Sequence, residues 1–190
     1  MHDKPLAQYR VALLVANGFM ESEMTVVQRL FAGAGASVRT VSPENGLVNS
    51  WQGDNWGYNF AIDVPLNRAL ASDFDIVVVP SGSRSADKLK LTEHTKRFIG
   101  GFVAANKPAF MIGDASQLLS FFGLAQGYEV AAPESLKADL EAASIQWTAN
   151  SPVLSGSLMT ATPETAEQLQ EALNSFVQAI VDAGSTKQAA

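Results

Sequence analysis

Asp114 follows Gly113 at the end of the apolar run 109–112, and Glu21 and Glu23 lie just past Gly18 and the apolar run 11–16. Carboxylates can move protons or orient a substrate. Asp114 could be a functional carboxylate, or one favoured simply by the dipole of the helix it opens. Of the two glutamates, Glu23 is the pocket candidate and Glu21 reads as a solvated first-turn residue. Ser116 offers a hydroxyl, but a serine nucleophile needs a base. The histidines are His2, beside the terminus, and His94, early in a mid-chain helix, so neither serine catalysis nor a histidine metal site is expected. The chain contains no cysteine, which excludes disulfides, thiolate catalysis and cysteine zinc sites.

The elements that must position these groups alternate between strand and helix. Runs 11–16, 76–79 and 109–112 have the continuous apolarity of strands buried on both faces. Residues 37–41 read as a further strand, and 47–63 as a hairpin leaving the main sheet, with Trp51 and Trp56 as packing or subunit-contact residues. One helix carries Val26, Val27, Leu30, Phe31 and Ala34, and another, from about Thr92, turns Phe98, Ile99, Phe102 and Val103 inward. Helices are also expected over 114–122, 135–143 and 164–183, with 184–190 as a fraying tail. The pattern predicts one domain over 1–190 with a mostly parallel sheet covered on both faces. Ligands of such sheets bind at the strands' carboxyl ends, here the loops 17–23, 80–87 and 113–116.

With a net charge of −6 and no basic run, nucleic acid is not an expected partner. The apolar runs are too short to span a bilayer, and residues 1–8 carry no apolar signal core, which favours the cytoplasm.

Several stretches together resemble the ThiJ/PfpI superfamily (class I glutamine amidotransferase-like). They are Gly18-Phe19-Met20-Glu21-Ser22-Glu23, GASVRTVSPENGLV, FAIDVPLNRA, DFDIVVVPSG, Ala86-Asp87-Lys88-Leu89 and SLKADLEAASIQW. The resemblance implies a flavodoxin-like three-layer fold and homodimers or higher homo-oligomers. It also implies a nucleophile elbow reading Ala-Ile-Cys-His-Gly, where this chain has Met111-Ile112-Gly113-Asp114-Ala115. Gly113 thus stands in place of the cysteine, Asp114 of the histidine, and Met20 of the assisting glutamate. Ser81 replaces a glycine of the family's oxyanion-binding turn, with Gly82 retained. Ala131, Ala132 and Pro133 align with a Ser/Thr-Tyr pair, and Thr162 with a late arginine. The Gly-Asp-Ala elbow also resembles the C-terminal domain of large-subunit catalases.

The resemblance therefore points to a pseudo-enzyme without the family nucleophile, with no catalytic residue, cofactor or metal expected. Its role would be binding an unidentified small molecule or a partner. Gly18, Glu23, Ser81, Gly82, Asp114, Ala115 and Ser116 are the pocket candidates. The alternative is a hydrolase or amidase, protease-like or glyoxalase-like, with a carboxylate-centred site at Asp114 and Glu23.

Overall fold

The computed structural model describes residues 4–188, so His2 lies outside it. The chain runs β1 (Arg10–Leu14), β2 (Phe19–Met20), α1 (Glu21–Gly33), β3 (Ser37–Ser42), β4 (Leu47–Gln52), β5 (Asn55–Ala61), β6 (Val64–Pro65) and β7 (Ile76–Val79). It continues through α2 (Ser83–Lys90), α3 (Glu93–Ala104), β8 (Ala109–Ile112), α4 (Gln117–Phe121), β9 (Glu129–Ala131), α5 (Lys137–Ala142), β10 (Gln146–Thr148), β11 (Val153–Ser155), β12 (Leu158–Ala161) and α6 (Ala166–Gln188).

Seven strands form the main sheet in the order β11-β12-β8-β7-β1-β3-β6. The core strands β1, β7 and β8 are adjacent and parallel, as their two-sided apolarity predicts, and only the edge strand β11 runs antiparallel. Alternate side chains enter opposite layers. Val11 and Leu13 of β1 pack with α1 and α6, where Phe31, Leu173 and Phe176 are fully or almost fully buried. Ala12 and Leu14 face the other layer, with Leu89 of α2, Phe98 and Phe102 of α3, and Leu118 of α4. Each such large side chain contributes about 1.5–3 kcal/mol when fully buried. The architecture is an α/β three-layer fold.

The chain steps from β1 outward to β3 and β6, then returns to the other side of β1 with β7, β8 and β12. That reversal opens a crevice at the carboxyl ends of β1 and β7, where doubly wound sheets bind ligands.

Three expectations change. The segment 80–87 is loop only to Gly82, because α2 begins at Ser83 and buries Ser85 and Ala86. The buried Ser85 Oγ accepts the Ala16 N–H at 2.9 Å, tying α2 to the end of β1. In the segment expected as a tail, α6 continues to Gln188, and Ser185 Oγ donates to Val181 O at 3.0 Å. Residues 189–190 lie outside the described chain. Strands β9 to β12 have no counterpart in the sequence reading; they are only three or four residues long, too short to display a period.

Candidate active site

Strand β7 ends in Pro80-Ser81-Gly82 before α2, and β8 ends in a 3-10 turn over Gly113–Ser116. Glu23, in the first turn of α1, reaches across to the first of these loops. Its Oε2 accepts the Ser81 N–H at 2.7 Å, and its Oε1 accepts the Ser81 hydroxyl at 2.6 Å. Asp114 Oδ1 accepts the next amide, the Gly82 N–H, at 2.7 Å. Two carboxylates therefore hold two consecutive amides of one turn.

Burial raises the pKa of both. For Glu23, loss of hydration outweighs the two Ser81 hydrogen bonds, and the nearby Asp114 charge adds to the rise. For Asp114, loss of hydration again leads; the Gly82 amide and its own amide oppose it, Asp87 raises it further, and Lys90 lowers it.

Gly113 has φ +55°, in the left-handed region that glycine enters at little cost. A Cβ on Gly113 would lie 3.1 Å from Ser81 Cβ, so side chains at 113 and 81 compete for the same space. Gly82, with φ +135°, has no room for a Cβ either, which would stand 2.9 Å from Phe19 Cα. Gly18 is roofed by the Arg84 side chain.

Glu23, Ser81, Gly113 and Asp114 line an open cleft of about 500 Å³, with Ala132, Pro133 and Thr162. Trp147, Ala149, Pro163, Glu134 and Glu164 complete it; no sequence pattern marks these, which reach the cleft from short late strands and their connections. Trp147 is fixed by its indole N–H, which donates to Ala132 O at 2.8 Å. Among the described residues, no lysine, arginine or histidine lines the cleft. Among the described residues there is no group of three or more His, Cys, Asp or Glu able to hold a metal ion.

Several candidates stand elsewhere. Ala115 and Ser116 are buried beneath the turn, and Ser116 Oγ faces Ala131 O at 3.5 Å rather than the cleft. Gly18 and Gly82 shape the turn without lining the cavity. Met20 does not line the cleft; its N–H donates to Ser81 O at 2.8 Å, and Glu23 lines the cleft with Gly113 and Asp114. The cleft thus contains a glutamate three residues beyond Met20, at the position already singled out as the pocket candidate. Glu21 is not solvated: it is buried, and its Oε2 accepts from Ser50 Oγ and, at 3.1 Å, from the Tyr58 N–H. His94 is exposed on α3 and does not line the cleft.

A second cavity, of about 450 Å³, lies at the opposite end of the sheet, among Tyr9, Asp75, Lys107 and Phe176. Its charges are spent internally: Lys107 Nζ donates to Ala71 O and Phe74 O, both at 2.9 Å, and Asp75 pairs with Arg10.

Comparison with known proteins agrees with the fold. YraA of Bacillus subtilis, which carries the name "Putative cysteine protease YraA", is 30% identical over 167 residues, 87% of this chain and 96% of that protein. "Protein/nucleic acid deglycase 2" of Escherichia coli is 26% identical over 138 residues, 73% of this chain and 78% of its own length. Among solved structures, a two-domain protein of Anabaena variabilis with DJ-1/ThiJ/PfpI-like and ferritin-like domains superposes with a TM-score of 0.82 at 21% identity. That match covers 91% of this chain but 48% of the larger one. A DJ-1 superfamily protein from Salmonella typhimurium gives a TM-score of 0.75 at 23% identity, covering 92% of this chain and 89% of its own. Residues 9–175 match the profile of the DJ-1/PfpI family, a span that takes in the whole main sheet and the first part of α6, and the chain belongs to that family.

Proposed function

We propose that the cleft at Glu23, Ser81, Gly113 and Asp114 binds a small molecule without the cysteine chemistry named for its relative YraA. The observation that carries this reading is position 113. It has no side chain and a left-handed backbone, in a chain with no cysteine, while the cleft beside it stays open. A volume of about 500 Å³ suits a small metabolite, since such sites span roughly 300–1,000 Å³. Carboxylates at Glu23, Asp114, Glu134 and Glu164, with no lining cation among the described residues, favour a neutral or cationic ligand over an anion. On this reading the chain is a pseudo-enzyme of its family, cytoplasmic, and paired as a homodimer through the exposed aromatics of the β4–β5 hairpin.

A second reading is favoured by one observation: two carboxylates of raised pKa face the same open cleft, as acid–base catalysts do. It makes the site a carboxylate-centred hydrolase. Fluorogenic amide and ester turnover, with methylglyoxal consumption in parallel, separates the two. The binding reading expects rates at the blank level in all three assays. Turnover lost in both Glu23→Gln and Asp114→Asn would replace it with the hydrolase.

A further inference from the structure

We propose that the Ser81 hydroxyl is a nucleophile with Glu23 as its base, a serine–carboxylate pair suited to small carboxylic esters. The inference rests on the second reading above, a hydrolytic site, and assigns it an attacking atom. An activated nucleophile is recognised by a base within hydrogen-bond reach and a fixed orientation between the two. Both are present here. Ser81 Oγ donates to Glu23 Oε1 at 2.6 Å, and the other carboxylate oxygen is anchored by the Ser81 N–H at 2.7 Å. The base therefore cannot swing away from its hydroxyl.

Burial raises the proton affinity of Glu23, as accepting the hydroxyl proton requires. Ser81 stands where β7 turns into α2, two residues before that helix begins, and lines the open cleft. Access completes the argument. A Cβ at position 113 would come within 3.1 Å of Ser81 Cβ, so glycine there leaves the space over Ser81 open. Ser116, the neighbouring hydroxyl, is fully buried and has no such access.

In the reaction, Ser81 Oγ bonds to the ester carbonyl carbon as its proton passes to Glu23. The carbon–alkoxide bond then breaks, and the departing alkoxide takes that proton. Water, deprotonated by Glu23, attacks the acyl-serine; the acid leaves and the proton returns to Ser81.

Diisopropyl fluorophosphate tests the attacking atom directly. The Ser81 oxygen bonds to phosphorus, fluoride leaves, and the proton goes to Glu23. Intact mass with peptide mapping is expected to show one adduct, on Ser81, and none in Ser81→Ala, which keeps the Ser81 amide held by Glu23. Glu23→Gln is expected to slow labelling by about 10²-fold, the usual contribution of a general base. Thermal melts of each variant confirm that the fold persists. An unlabelled wild type, an adduct elsewhere, or an unchanged rate in Glu23→Gln overturns the proposal. Ester turnover that survives in Ser81→Ala would overturn it while leaving the hydrolytic reading intact, with water as the attacking group. Labelling of Ser81 without turnover of any ester would leave a reactive hydroxyl but overturn both the ester chemistry and the hydrolytic reading.

Discussion

Gly113 and Ser81 face each other across the cleft, and only one of them can carry a side chain without displacing the other. Gly113→Cys is expected to destabilise the protein by about 1–3 kcal/mol through its left-handed backbone, plus the contact with Ser81. Adding Ser81→Gly should recover the steric part and leave the backbone part, so the two changes are non-additive in thermal melts. A single Gly113→Cys with an unaltered melting temperature would show that the turn is not strained. Glu23 gives a second test. Its pKa is raised in the fold, so the native state holds that proton to higher pH than the unfolded chain. This contribution to stability is full below the ordinary carboxylate value and is lost as pH rises through the raised value. Glu23→Gln, which mimics the protonated form, should therefore gain on the wild type as pH climbs from acid to neutral. Melting temperatures that differ by a constant amount across that range would contradict the shift.

At the scale of elements, the hairpin is fastened by one buried carboxylate. Glu21 opens α1 yet accepts from Ser50 of β4 and the Tyr58 amide of β5, where the ladder shifts register between Asn49 and Trp51. Gly57 permits this approach, because a Cβ there would collide with both Ser50 Oγ and Glu21 Oε2. Glu21→Ala leaves the Tyr58 amide unpaired and is expected to cost about 1–3 kcal/mol. Amide hydrogen exchange should rise in β5 before it rises in β1 or β7; uniform exchange would mean the clasp is not local. Nothing in the sequence marks this role, since the partners of Glu21 lie 29 and 37 residues away and meet it only through a bulge. The core strands were legible for the opposite reason: being covered on both faces, they need no partner to reveal their apolarity. Glu23 lies between these cases. Its position after Gly18 marks it as a pocket residue, but its bond to Ser81 depends on how α1 docks against the end of β7. The short strands β9 to β12 carry too few residues for a pattern, so Trp147, which they bring to the cleft, could not be placed.

Across the whole molecule, two apolar layers enclose the main sheet and one open cleft lies at its switch point. No helix among the described residues is long and apolar enough to cross a membrane. The hairpin leaves Trp56 and Tyr58 53% and 71% exposed, and Leu47, at its other end opposite Ala61, 56% exposed. Trp51 packs edge-on to Trp56 at 5.3 Å and lies 3.9 Å beneath the Arg84 guanidinium. Exposed aromatic side chains such as Trp56 and Tyr58 are costly to leave in water, and we expect them to be covered in a homodimer. Light scattering should give twice the 20.2 kDa chain mass, and Trp56→Ser should lower it; a monomer mass at high concentration would remove the dimer. The central claim is that the cleft beside Gly113 is a ligand site without thiol chemistry. It is tested most directly by a high-resolution crystal structure of the protein after incubation with a small-molecule extract of its host cells. The account predicts a bound small molecule in contact with Ser81, Asp114 and Trp147. A cleft holding only water, or closed by its own side chains, would contradict it.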